Sequence, residues 1–250
     1  MNPISIVGAG PGAQDLLTIR AKKRIEMADV LVWTDSLIPI QITKLVKYDC
    51  EKIKTSSLTL EDIIEILIRK HKEGKRIVRL HDGDPCLYGA ISEQICRLND
   101  AGIEVEIVPG VSAYQATAAS LGYELTIPDL TQTIILSRAD GRTGKPEKEN
   151  LQKLASIQAS LCLYLSARHV EEVQSTLIKH YPANTPVAIA YRVTWPDEWV
   201  KVIPLSEMAK TSRENNLIRT TLYIISPTLK VGNKRSKLYS PTHSHLFRTS

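Results

Sequence analysis

A β-branched run that ends abruptly in glycine constrains this chain more than any other feature. Ile4-Ser5-Ile6-Val7 passes straight into Gly8-Ala9-Gly10-Pro11-Gly12-Ala13. A strand followed by a glycine loop and then a helix opens an α/β unit. The spacing predicts that helix over Thr18 to Ala28 with Thr18 as N-cap, and Val30-Leu31-Val32-Trp33 reads as a second buried strand. Two more strands end in special loops. Arg76 to Leu80 gives way to His81-Asp82-Gly83-Asp84-Pro85-Cys86-Leu87-Tyr88-Gly89, and Val105 to Val108 to Pro109-Gly110-Val111-Ser112. Between them, Thr59 and Asp62 resemble a capping box opening a helix from Leu60 to Glu73, which Gly74 ends. A further helix spans Ala90 to Ala101, and Ser112 caps another that reaches Leu121.

The alternation then repeats with closer-set strands: Thr133–Arg138, Leu161–Leu165, Val187–Tyr191, Val200–Ile203 and Thr221–Ile225. Helices are expected at Pro146–Ile157, His169–His180 and Leu205–Glu214. The close succession of Val187–Tyr191 and Val200–Ile203 predicts a mixed second sheet with a hairpin. The fold class is therefore α/β in two domains, residues 1–121 and 122–230, each a mainly parallel or mixed sheet flanked by helices, with Gly122–Thr131 as linker and a basic tail at 231–250.

Composition excludes several classes. With 43% hydrophobic and 24% charged residues, the chain of 250 is neither disordered nor fibrous. No apolar run nears the ~20 residues that cross a bilayer, and Met1-Asn2-Pro3-Ile4 leads into a strand without a leader; a cytoplasmic protein with no membrane partner is expected. The net charge is +5, but Lys234, Arg235, Lys237 and Arg248 of the acid-free tail carry most of it. The nearly neutral remainder argues against a nucleic-acid partner. Cys50, Cys86, Cys96 and Cys162 form no C-x-x-C pair and read as reduced thiols. No ligand cluster suggests a metal, and His243 and His245 read as solvated tail residues.

Each loop has two readings. The first matches G-x-G-x-x-A, with Asp35 after the second strand where a ribose-binding acid belongs, so a nicotinamide-dependent oxidoreductase is one candidate. Pro11 removes an N–H from that turn, and a purely structural tight turn is the alternative. In the second loop, Asp82 and Asp84 flank a glycine at a strand's carboxyl end, which favours ligand hydroxyls or amines over a simple helix cap. Ser112 in the third caps a helix by default, yet three such loops at strand ends point to one shared crevice.

Together, Val7-Gly8-Ala9-Gly10-Pro11-Gly12, Gly83-Asp84-Pro85 with Tyr88-Gly89, and Val108-Pro109-Gly110-Val111-Ser112 resemble the tetrapyrrole methyltransferase family, from about Ile4 to Leu229. Narrower marks resemble the members that methylate precorrin-4 or cobalt-precorrin-4 at carbon 11: Leu80-His81, Leu87 to Ala90, Glu124 to Pro128, Gln132-Thr133 through Arg138 to Gly141-Arg142-Thr143, and Trp195-Pro196-Asp197-Glu198. The resemblance implies a homodimer that binds S-adenosylmethionine, and after turnover S-adenosylhomocysteine, in the cleft between domains. Carried over by position, cofactor contacts fall at Pro11, Asp82, Gly83, Asp84, Leu87, Ser112 and Ala113, and at Leu165, Arg192, Val193, Thr220 and Thr221. Thr34-Asp35-Ser36 departs from the family pattern, and Asp35 receives no role.

The reaction so implied is an in-line displacement by an electron-rich ring carbon, for which placement matters more than a base; no catalytic acid or base is assigned. The tetrapyrrole polycarboxylate calls for guanidinium forks, and Arg138, Arg142 and Arg192 are the candidates, with Tyr88 and Tyr114 against the macrocycle. Three alternatives stay open: a relative acting at another ring carbon or on a modified translation factor, the oxidoreductase, and a non-enzymatic tetrapyrrole carrier.

Overall fold

A computed structural model describes residues 2–139 and 144–230. Arg142 and the 231–250 tail, with its two histidines, lie outside the described residues. The chain divides into two compact units, Met1–Ala116 with Arg192–Asp197, and Thr117–Tyr191 with Glu198–Ser250.

In the first unit β1 (Ile4–Gly8), β2 (Val30–Trp33), β3 (Glu51–Lys54), β4 (Ile77–His81) and β5 (Val105–Val108) make one sheet in the order β3-β2-β4-β1-β5. Every pairing in it is parallel. Strand alternation sorts the core onto two faces. Val7, Leu31, Trp33, Val78 and Leu80 pack with Ala21 and Ile25 of α1 (Ile19–Met27). Val30, Val32 and Ile77 pack with Ile63 and Leu67 of α2 (Leu60–Lys72) and Leu98 of α3 (Ile91–Asp100). Each such aliphatic side chain contributes about 1.5–3 kcal/mol by burial.

Local signals place the helix starts. Thr18 accepts a hydrogen bond from the Ala21 N–H, and Thr59 and Asp62 form the reciprocal capping box. The sequence gives no hint of β3, because Glu51-Lys52-Ile53-Lys54 offers a single apolar residue. It is an edge strand whose polar side chains face solvent, and its register with Val30–Trp33 holds it in place.

Helix α4 (Ala113–Leu121) spans the division between the units. In the second unit β6 (Ile134–Arg138), β7 (Ser160–Tyr164), β8 (Pro186–Tyr191), β9 (Trp199–Pro204) and β10 (Thr221–Ile225) are ordered β6-β7-β10-β8-β9. Only β6 and β7 pair in parallel; β8 and β9 form the expected hairpin, and β10 runs antiparallel to both neighbours. The long helix expected over Pro146–Ile157 is instead a 3-10 turn at Glu147–Glu149 and then α5 (Leu151–Ser156). Asn150 explains the break: its side chain accepts from the Lys153 N–H and restarts the helix. The next two helices are likewise shorter than expected, with 3-10 turns leading into α6 (Val170–Leu177) and α7 (Met208–Glu214). Among the described residues no helix is long and apolar enough to cross a membrane.

Candidate active site

Because β1, β4 and β5 are parallel, adjacent and in register, their carboxyl ends deliver the three glycine loops to one edge. The loops interlock by main chain. Gly10 and Gly83 exchange N–H···O=C bonds of 3.2 and 2.9 Å, and the Ala9 N–H donates to the His81 carbonyl at 2.7 Å. A Cβ on Gly8 would come within 2.7 Å of Gly110 Cα and of the Gly83 carbonyl oxygen, and one on Gly110 within 2.1 Å of that same oxygen. These glycines are therefore required by backbone packed on backbone. Gly12 is equally constrained, since a Cβ there would lie 2.3 Å from Trp195 Cδ1. The Trp195 indole N–H donates to the Pro11 carbonyl at 2.9 Å, and the Ala13 N–H donates to Thr194 Oγ1 at 2.9 Å. Gly83 differs: at φ +55° its outer side meets nothing closer than Ser112 Cα at 3.9 Å.

The two carboxylates of the second loop have different surroundings. Asp84 accepts from the Gly110 N–H at 2.9 Å and from the Cys86 N–H at 2.8 Å, so it ties the second loop to the third. Asp82 is reached by solvent. Enough protein surrounds it that desolvation pushes its carboxyl up, while its own backbone N–H and the Arg79 charge act in the opposite sense. Beneath it lies a polar cluster inside the core. Arg79, only 4% exposed, reaches Gln94 Oε1, Thr34 Oγ1 and the carbonyls of Val32 and Leu80, each at 3.4 Å. Burial lowers its guanidinium to about 10, which leaves it charged at neutral pH. Gln94 in turn donates to the Ala90 carbonyl at 3.2 Å and so connects the cluster to the end of the loop. His81 is buried, its Nε2 meets no partner among the described residues, and burial together with Arg79 pushes it down to about 3.

The second sheet has a comparable edge. With β10 antiparallel to β7 and β8, the ends of β6, β7 and β8 fall beside the start of β10, and Thr221 pairs with Tyr191. That edge carries Arg138, Leu165, Thr220 and Thr221, and the chain leaves it at Arg192-Val193. Leu165 is 70% exposed, which is unusual for leucine.

Backbone strain marks both edges. Of the non-glycine residues at positive φ among the described residues, Asp129 and Asn216 carry the short polar side chains that tolerate it, and Gln158 lies in the turn between α5 and β7. The other six are Tyr88 (58°), Ala90 (49°), Leu165 (51°), Arg192 (46°), Thr194 (67°) and Thr220 (52°), all in the segments that follow β4, β7 and β8 or lead into β10. Such residues cost of order 1–3 kcal/mol each and persist where a site requires them.

The family model for Tetrapyrrole (Corrin/Porphyrin) Methylases matches residues 3–209. The chain belongs to this family. Among the tetrapyrrole methylases it is 40% identical to the cobalt-precorrin-4 C(11)-methyltransferase of Methanocaldococcus jannaschii, over 99% of this chain and 96% of that one. It is 39% identical to the precorrin-4 C(11)-methyltransferase of Pseudomonas aeruginosa, over 98% of each. A solved cobalt-precorrin-4 methyltransferase superposes with a TM-score of 0.88 at 38% identity, covering 91% of this chain and 96% of its own. The Thermus thermophilus uroporphyrin-III C-methyltransferase, solved with S-adenosylhomocysteine, gives 0.74 at 25% identity, over 91% and 99%.

Against the sequence reading, the fold brings Pro11, Asp82, Gly83, Asp84, Leu87, Ser112 and Ala113 onto the edge of the first sheet, with Tyr88 and Tyr114 among them. Some of their polar groups already have protein partners. The Pro11 carbonyl takes the indole, the Leu87 N–H donates to the Asp84 carbonyl at 3.1 Å, and the Ser112 N–H donates to Gln115 Oε1 at 2.9 Å. Of the proposed forks, Arg192 is paired with Asp197 and stacks over Trp195 at 4.9 Å, and Arg138 donates to the carbonyls of Ala139 and Gly144. Sequence reasoning missed Arg79, whose signal was a charged residue inside an apolar strand. It also missed Thr194 and Trp195 as partners of a loop some 180 residues away.

Proposed function

We infer that this tetrapyrrole methylase transfers the methyl group of S-adenosylmethionine to carbon 11 of precorrin-4 or cobalt-precorrin-4. Identity near 40% over almost the full length of enzymes with that activity is the observation that carries this reading.

The residues present suit the methyl donor. Asp82 offers an accessible carboxylate for hydroxyls or an amine, and Gly83 leaves open main chain beside it. We assign further cofactor contacts to Pro11, Leu87, Ser112 and Ala113, and to Leu165, Arg192, Val193, Thr220 and Thr221. Asp84 acts by holding Gly110 in place. When bound, S-adenosylmethionine supplies an electrophilic methyl on a sulfonium. The protein's part is placement: loops fixed by interlocked main chain hold the donor's position, and a carbon aligned near contact needs no covalent step. Arg138 and Arg142 are assigned to substrate carboxylates, with Tyr88 and Tyr114 against the macrocycle. The enzyme is expected to be a cytoplasmic homodimer, which sedimentation equilibrium tests for its assembly.

The nicotinamide reading loses its basis, because Gly8 and Gly12 are occupied by Gly110, Gly83 and Trp195 rather than left open to a pyrophosphate. The deciding experiment supplies labelled methyl donor and a precorrin-generating enzyme mixture to the purified protein, then locates the label by NMR. Label at carbon 11 is expected; label at another ring carbon, or none, overturns the assignment.

A further inference from the structure

Asp35, which has had no role so far, and the Trp195-Pro196-Asp197 mark meet in one place. Both line a hollow of about 400 Å³ that lies wholly within the first unit. Its walls are largely apolar, with Trp195, Pro196, Ile38 and Ile40 among them; Asp35, Lys54 and Asp197 are its charged residues, and Asp197 is already paired with Arg192. The volume is at the small end of the ~300–1,000 Å³ that drug-sized ligands fill, so it takes part of a macrocycle and not the whole.

The charges are not equivalent. The Asp35 carboxylate accepts the Ser56 N–H at 3.1 Å. Burial pushes that carboxyl up, but the Ser56 hydrogen bonds and the charge of Lys54 outweigh it and leave it lowered. Lys54, at the end of the edge strand β3, forms no ion pair among the described residues. It is the cation here whose hydrogen-bonding capacity remains for a ligand. Trp195 links the hollow to the first glycine loop, since its indole N–H holds the Pro11 carbonyl.

Resting on the function proposed above, we propose that this hollow is a substrate subsite that takes one edge of the tetrapyrrole, with Lys54 paired to a single acidic arm. The flat indole of Trp195, which stays partly exposed, suits a flat conjugated edge. The Asp35 carboxylate disfavours a second acidic arm at the same corner, which sets the register of the ring. Trp195 thereby places the substrate edge and the cofactor loop against the same side chain.

The test uses the full-length protein, calorimetric titration with uroporphyrin as a stable polycarboxylate probe and with S-adenosylhomocysteine, and the coupled methylation assay. Lys54→Glu should weaken probe binding about tenfold and raise the substrate KM, leaving S-adenosylhomocysteine affinity and the melting temperature unchanged. Lys54→Arg should restore most of the loss, and Asp35→Asn should tighten the probe a few-fold. If Lys54→Glu binds the probe and methylates substrate as the unaltered protein does, the subsite is wrong while the function stands. If the unaltered protein neither binds the probe nor methylates a tetrapyrrole, the functional reading fails and the subsite with it.

Discussion

The two sheets gather their loops by different means. In the first unit all pairings are parallel, so topology alone sends the loops after β1, β4 and β5 to one edge, where main chain locks to main chain. In the second, the reversal of β10 sets Thr220 and Thr221 beside the ends of β7 and β8, and a side chain makes the link between β6 and β7: the Ser166 hydroxyl accepts from the Ala139 N–H at 2.8 Å and donates to the Tyr164 carbonyl at 2.7 Å. The first edge should therefore tolerate almost no added volume. The second should tolerate substitution and report through binding.

The largest effect is expected at the interlock. Gly110→Ala places a methyl 2.1 Å from the Gly83 carbonyl oxygen and should cost about 3 kcal/mol or more in urea unfolding, with loss of methyl transfer. Gly74→Ala is the control: at φ +73° with nothing within 4 Å, it should cost about 1–2 kcal/mol. Equal losses would mean that the junction yields and the contrast between the edges is not real.

Asp82 and Asp84 sharpen the comparison within one loop. Asp84→Ala leaves the Gly110 and Cys86 N–H groups without their acceptor and should lower stability by about 1–3 kcal/mol as well as weakening S-adenosylhomocysteine. Asp82→Asn should weaken that ligand about tenfold with the unfolding midpoint held or slightly raised, because the surrounding protein disfavours the charged form of Asp82. The reverse pattern would exchange their roles.

The buried His81 predicts an acid limb. Its folded pKa, about 3, lies below the ordinary 6.5, so the unfolded chain binds the extra proton. Stability is then complete above about pH 6.5 and falls as the pH drops toward 3, by up to about 1.4 kcal/mol per unit from this one group. His81→Gln should flatten the loss measured by urea titrations between pH 7 and pH 5. An unchanged slope would remove His81 as its source.

The smallest effect belongs to the second edge. Thr220→Gly relieves a β-branched residue at φ 52° and should raise stability by up to about 1 kcal/mol while weakening S-adenosylhomocysteine a few-fold. A gain in stability with ligand affinity untouched would make that strain unrelated to binding.

Much of the fold was legible because its signals are short-range. Thr18 and the Thr59–Asp62 pair act over three residues, and strand alternation sorts core from surface without reference to partners. Strand β3 was not legible, since Glu51-Lys52-Ile53-Lys54 has no apolar pattern and is a strand only because β2 lies beside it. Asn150 could have been read as a restart of α5, but caps inside an apparent helix look like interior residues until the turn closes.

By itself, then, the sequence determined where strands end and helices begin, that three glycine loops follow strands, and that these loops resemble those of the tetrapyrrole methylases. Only the tertiary structure decided what each glycine and carboxylate does. Gly8 yields to Gly110, Gly12 to Trp195, and Asp84 to an N–H 26 positions away, whereas Asp82 is left exposed to solvent. The reason is physical: caps and alternation depend on neighbours within a turn or two, but the group facing a side chain across a loop depends on strand order, which a short stretch of sequence does not contain.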